Sequence, residues 1–107
     1  IPTFYWPPSC DDRELISDIV EHLGPTVYVS IDLDALDPAL MPAVGTPGPG
    51  GLSWYQMVSL LRCVAETRRI VGFDITELCP AEGPAACSYT AAKLVYKLVA
   101  YATSLGK

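Results

Sequence analysis

The sequence predicts an α/β domain built on a parallel sheet. Two runs rich in apolar and β-branched residues, TVYVSIDL (26–33) and RIVGFDITEL (69–78), read as strands. Between them lies a stretch with helical spacing of apolar residues, and a further helical stretch flanks the pair on each side. A strand–helix–strand order makes the two strands parallel, because a crossover helix returns the chain to the same end of the sheet.

Each element has a local reason. Residues 1–6 (IPTFYW) are short, β-branched and aromatic, and are expected as an edge strand that Pro7 and Pro8 end. Ser9 to Asp12 supply candidate N-caps for a first helix. Its core face is Leu15, Ile16, Ile19, Val20 and Leu23, with Arg13, Glu14, Ser17, Asp18 and Glu21 opposite. Gly24 and Pro25 stop it, and His22 is a solvated residue of its last turn. After the first strand, residues 35–52 are dense in proline and glycine and read as a loop. Ser53 and Gln56 have capping-box spacing, and Met57, Leu60, Leu61, Val64 and Ala65 give the second helix its apolar face. Cys79 and Pro80 end the second strand, and a last helix is expected from about Ser88 to Ser104.

Composition narrows the function classes. Half of the 107 residues are apolar and 18% are charged, which is globular rather than disordered. A net charge of −5, with Arg68 and Arg69 the only paired basic residues, argues against a nucleic-acid partner. Lys93 and Lys97 interrupt the most apolar stretch, which argues against a membrane span. Cys10, Cys63, Cys79 and Cys87 form no CxxC pair and are expected as reduced thiols of a cytoplasmic protein, a Cys79–Cys87 disulfide being the lesser reading.

The chemistry-bearing residues are carboxylates. Residues two apart on a strand share a face, so Asp32 and Asp34 are expected to project together. At ~6 Å their repulsion is on the order of 3 kcal/mol for an effective dielectric of about 20. A hard divalent cation is the simplest group to offset it. Glu77 stands at the matching end of the second strand, with Asp74 slightly earlier. Ligands of parallel α/β sheets gather beyond the carboxyl ends of the strands, so these residues converge on one candidate site. Asp37, with Pro38 after it, reads as a turn-former, and Asp74 as a structural or supporting residue. The Gly/Pro loop is a rigid wall rather than a phosphate cradle, since prolines lack the N–H donors a cradle uses.

At these residues the chain resembles a known family. SIDLDALDPALMPAVGTPGPGGL (30–52) is similar to the signature of the ureohydrolases, the arginases and agmatinases. VGFDITELCP (71–80) resembles that family's second conserved strand, and TAAKLVYKLVAY (90–101) its agmatinase-type closing helix. The resemblance implies a three-layer α-β-α arginase-like fold with a parallel sheet. It implies a binuclear manganese centre, two ions per complete active site, that hydrolyses an agmatine-like guanidino compound to urea and an amine. It also implies a homo-oligomer, trimer or hexamer. Asp32 would bridge both metals and Asp34 would bind one. Glu77 would pair with the substrate guanidinium, and Thr46 would line the substrate pocket.

The chain departs from the family pattern in one respect. Further ligands there come from upstream motifs of the types GGDHS and DAHxD, and neither occurs here; the single histidine, His22, stands in neither context. Residues 1–107 are therefore expected to be the C-terminal part of a single ureohydrolase domain, without a complete set of catalytic residues and inactive alone. Two other readings compete. A haloacid-dehalogenase-like phosphatase also places a DxD after an apolar strand. Leu36 and Asp37 are not the residue types that pattern takes after its second aspartate, and the GTPGPGG loop has no place in it. The other is a truncated, catalytically inactive binding or subunit module, with Leu94, Val95, Leu98 and Val99 of the last helix available to an interface, although core burial is the expected use of those residues.

Overall fold

A computed structural model describes residues 1–6 and 11–105. Its order is helix, strand, helix, strand, helix: α1 (Asp12–Glu21), β1 (Thr26–Asp32), α2 (Trp54–Thr67), β2 (Arg69–Thr76) and α3 (Ala86–Ala100). Short 3-10 turns come after each strand at Leu33–Ala35 and Pro80–Glu82, and a π-type turn, Tyr101–Leu105, ends α3. The two strands pair in parallel from Thr26↔Arg69 to Asp32↔Thr76, as the crossover requires.

Local chemistry sets the helix ends. The Asp11 side chain caps α1 by accepting from the Arg13 N–H. Ser53 and Gln56 form the full capping box of α2, each side chain bonding the other's backbone N–H. Asp12 ties these two starts together: it accepts from Trp6 Nε1 at 2.9 Å and from Gln56 Nε2 at 3.4 Å.

The last turn of α1 has no basic residue of its own. Arg68, at the end of α2, supplies the cation instead. Its guanidinium donates to the carbonyls of Val20 (3.0 Å), Leu23 (3.2 Å) and Thr67 (3.0 Å). A cation at a helix C-terminus satisfies open carbonyls and opposes the helix dipole. Arg68→Met keeps the stem and removes the fork, and is expected to cost about 1–2 kcal/mol, allowing for partial exposure. Chemical denaturation measures it; an unchanged midpoint would mean that water replaces the guanidinium without loss.

The core lies on one face of the sheet. Val27, Val29 and Ile31 of β1, with Ile70, Phe73 and Ile75 of β2, pack against apolar residues of all three helices. Leu94 and Leu98 of α3 are fully buried, as are Leu33, Met41 and Ala43. Val95 and Val99 point outward with Tyr89 and Tyr96. The opposite face carries Tyr28, Ser30 and Asp32 beside Gly72, Asp74 and Thr76. Among the described residues no helix covers it, although parallel sheets are normally covered on both faces. Tyr28 lies across Gly72, where an added Cβ would meet its ring at 2.9 Å, and its hydroxyl donates to Asp74. That bond to a carboxylate raises the phenol above its ordinary range.

Several expectations need correction. Residues 1–6 form no strand; β propensity is not enough without a partner strand, and Trp6 is held by Asp12 instead. The strands stop at Asp32 and Thr76, earlier than expected, because the chain turns into 3-10 and irregular structure there. The last helix starts two residues earlier than expected and leaves α-geometry after Ala100. Cys63, Cys79 and Cys87 are free thiols, so the Cys79–Cys87 disulfide is not formed. The expected roles of Pro7, Pro8, Ser9 and Cys10 lie outside the described residues.

Candidate metal and substrate site

The carboxyl ends of β1 and β2 meet at one edge, and three carboxylates gather there. Asp32, Asp34 and Glu77 each offer an oxygen, and these oxygens lie within 4.8 Å of one another. The strand rule does not explain Asp34, because β1 ends at Asp32 and Asp34 sits in the 3-10 turn. The turn brings it back: Asp32 caps it, Oδ1 accepting from the Asp34 N–H at 3.1 Å. The expected pairing is present, and a cap-and-turn makes it.

Glu77 is held differently. It comes directly after β2 and has φ +77°, the only non-glycine residue with positive φ among those described. Such a conformation costs on the order of 1–3 kcal/mol and persists only where neighbours enforce it. Here Leu78 bridges Val44, and the Cys79 N–H donates to the Ala43 carbonyl at 2.8 Å. The next loop residue, Gly45, then faces Glu77: a Cβ there would stand 3.3 Å from Glu77 Oε2. Sequence reasoning expects the loop's glycines to allow close backbone approach beside the site without singling out Gly45, and it misses the backbone of Glu77. The glycine of GTP is the available signal; nothing in a glutamate announces positive φ.

The Gly/Pro loop is more than a wall. Asp37 organises it, Oδ1 accepting from the Ala39 N–H and Oδ2 from the Gly50 and Gly51 N–H groups. This supports the reading of Asp37 as a turn-former. Met41, Ala43 and Val44 are buried in the main core. Thus anchored, the loop delivers Thr46 to the site, where its hydroxyl donates to Asp34 Oδ2 at 2.8 Å. Asp74 stays out of the cluster: it accepts from Tyr28 and from Ser30 Oγ (2.8 Å) on the bare sheet face. His22 is exposed, packs edge-on against Phe4 and lies outside the cluster.

No lysine or arginine pairs with the three carboxylates among the described residues. The donors to the cluster are the Thr46 hydroxyl and the Asp34 N–H, and an all-oxygen, anionic donor set suits a hard divalent cation. A cleft of about 460 Å³ near Phe4, Trp6 and Gln56 contains none of the three. The carboxylates instead line an open edge.

The model of the arginase family matches residues 3–100. This chain belongs to the arginase family. The arginase-family chain is 51% identical over 84 residues to the N(1)-aminopropylagmatine ureohydrolase of Thermus thermophilus, covering 78% of its own length and 28% of that relative. It is 37% identical over 102 residues to the protein of the same name from Synechocystis, covering 94% of itself and 33% of the relative. Among solved structures it is similar to the proclavaminate amidino hydrolase of Streptomyces clavuligerus, with TM-score 0.80 and 35% identity over 88% of this chain and 32% of that one. The arginase-like α/β fold is thus shown. The chain spans about a third of the length of these relatives.

Proposed function

We propose that these residues form part of the active site of a manganese-dependent ureohydrolase, which releases urea and an amine from a linear guanidino compound of the agmatine or aminopropylagmatine type. The observation that carries this reading is the convergence of Asp32, Asp34 and Glu77 at the carboxyl edge of the sheet. The names of the relatives support this choice of substrate class. Asp32 and Asp34 fit manganese by charge and donor type, and further ligands for a two-ion centre come from outside this chain. When bound, such a centre supplies a nucleophile near neutral pH by acidifying water. Glu77 accepts the guanidinium through a charge-assisted bond. The anionic edge draws the cationic substrate toward it. The complete enzyme is a cytoplasmic homo-oligomer, trimer or hexamer, in this reading.

The test is urea release by the natural gene product carrying these residues, with and without manganese, on agmatine, aminopropylagmatine, guanidinobutyrate and arginine. Manganese-dependent turnover of one of them is expected. No urea from any would overturn the proposal and favour the inactive interaction module, of whose expected interface residues Val95 and Val99 are exposed while Leu94 and Leu98 are buried in the core and unavailable to a partner.

Two duties compete at Glu77, because its oxygen stands as close to the aspartates as a third metal ligand would. In Glu77→Gln, substrate binding predicts a fall of about 100-fold in kcat/KM with metal content intact. Loss of metal would assign Glu77 to the ion instead.

A further inference from the structure

Two outward helix faces match each other in spacing and oppose each other in chemistry. We infer that they are the two halves of a head-to-tail interface between copies of this chain: the acidic stripe of α1 docks on the tyrosine–lysine stripe of α3 in the next copy. This interface goes beyond the proposed catalysis and does not depend on it.

Both stripes follow from helical spacing. On α1, Glu14, Asp18 and Glu21 stand at i, i+4 and i+7 and are exposed, while Leu15, Ile16 and Val20 are buried. Like charges four residues apart repel and weaken a helix. No basic side chain pairs with these three among the described residues. On α3, Tyr89, Lys93 and Tyr96 repeat the same spacing, opposite the buried Cys87, Ala91, Leu94 and Leu98. Both tyrosines are 78% exposed. The helix contains no acidic residue. Lys93 Nζ stands 5.7 Å from the centroid of the Trp54 ring, which keeps its charge beside the stripe.

Each stripe runs roughly 10 Å along its helix, so the phenol and ammonium donors of one fall opposite the carboxylate acceptors of the other. Tyrosine suits such a place, because it buries a ring and keeps a polar tip for a hydrogen bond. The stripes lie on different helices and both face away from the core, so one copy does not bring its own two together. A contact between unlike patches repeats head to tail and closes as a ring when the rotation allows. A trimer is such a ring, and a hexamer can pair two of them.

The natural gene product carrying these residues is compared with Asp18→Lys, Lys93→Glu and the double variant by sedimentation equilibrium over a range of concentrations. The parent is expected to assemble. Each single reversal sets like charges across the interface and weakens association by about tenfold or more. The double variant exchanges the two charges and returns association to within roughly threefold of the parent. Carbodiimide treatment of mixed light and heavy isotope-labelled parent joins Lys93 of one copy to Glu14 or Asp18 of another. A monomeric parent overturns the inference, as do single variants that assemble like the parent. A folded double variant that does not recover, or a Lys93 crosslink found only within one copy, also overturns it. Circular dichroism separates these outcomes from misfolding. Asp18→Lys leaves Lys93 over Trp54, so its loss of assembly does not come from that contact.

Discussion

Asp32→Asn is expected, under the proposed function, to abolish manganese-dependent urea release while leaving the fold intact. Asparagine keeps a side-chain oxygen, so it can still accept the Asp34 N–H and preserve the 3-10 turn. What it loses is the negative charge and the anionic oxygen that faces the cluster. Removing even a partner of a ligand costs about 10- to 100-fold in metal affinity, so removal of a ligand itself should exceed roughly 100-fold. Metal content and turnover should fall together, with an unchanged melting temperature in metal-free buffer. Full metal loading in Asp32→Asn would sink the assignment of this residue. Asp32→Ala provides the contrast, because it also removes the turn's cap and should cost about 1 kcal/mol of stability.

The largest expected effect on stability is at Gly51. A Cβ there would lie 2.5 Å from the Asp37 nitrogen, 2.6 Å from the Leu36 carbonyl carbon and 2.7 Å from the Asp37 Cα. All three are backbone atoms, so no rotamer change relieves the clash. Nor can the two sides of the loop part freely. Asp37 N–H donates to the Leu52 carbonyl at 2.9 Å, and Leu52 N–H to the Ala35 carbonyl at 2.8 Å. Gly51→Ala is therefore expected to destabilise by about 3 kcal/mol or more. For a domain of about this size that is a fall in melting temperature of roughly 12–20 °C. Gly48→Ala is the control: it lies in the same loop, and a Cβ there meets nothing within 4 Å. A Gly51→Ala protein as stable as Gly48→Ala would show that the loop is not closed as described.

Sequence makes legible whatever is decided locally or by periodicity. The Ser53–Gln56 box needs four residues, and it forms. The parallel pairing comes from element order, and with it the meeting of Asp32 and Glu77 at one edge. The rest depends on neighbours distant in the chain. Met41, Ala43 and Val44 read as loop because proline and glycine surround them, yet they fill the core between β1 and α3. The strand rule pairs Asp34 with Asp32 for the wrong reason, since a side-chain cap outcompetes strand continuation only once the turn exists. Resemblance places Thr46 near the site, but its partner there depends on the Val44–Leu78 bridge. Residues 1–6 have strand-like composition and no partner strand among the described residues.

The closure of the Gly/Pro loop also limits how this site can diversify. Surface loops generally tolerate insertions and deletions, because the entropy of closure changes slowly with length. This one is pinned by Asp37 to Gly50 and Gly51, and by Val44 to Leu78. One residue added between Ala43 and Gly51 would shift Thr46 or Gly45 out of register with its carboxylate. Length variation is thereby closed off here as a route to new substrates. Point replacement at the outward Pro47 and Pro49 remains open, so libraries aimed at altered selectivity should randomise those positions and hold the loop length constant.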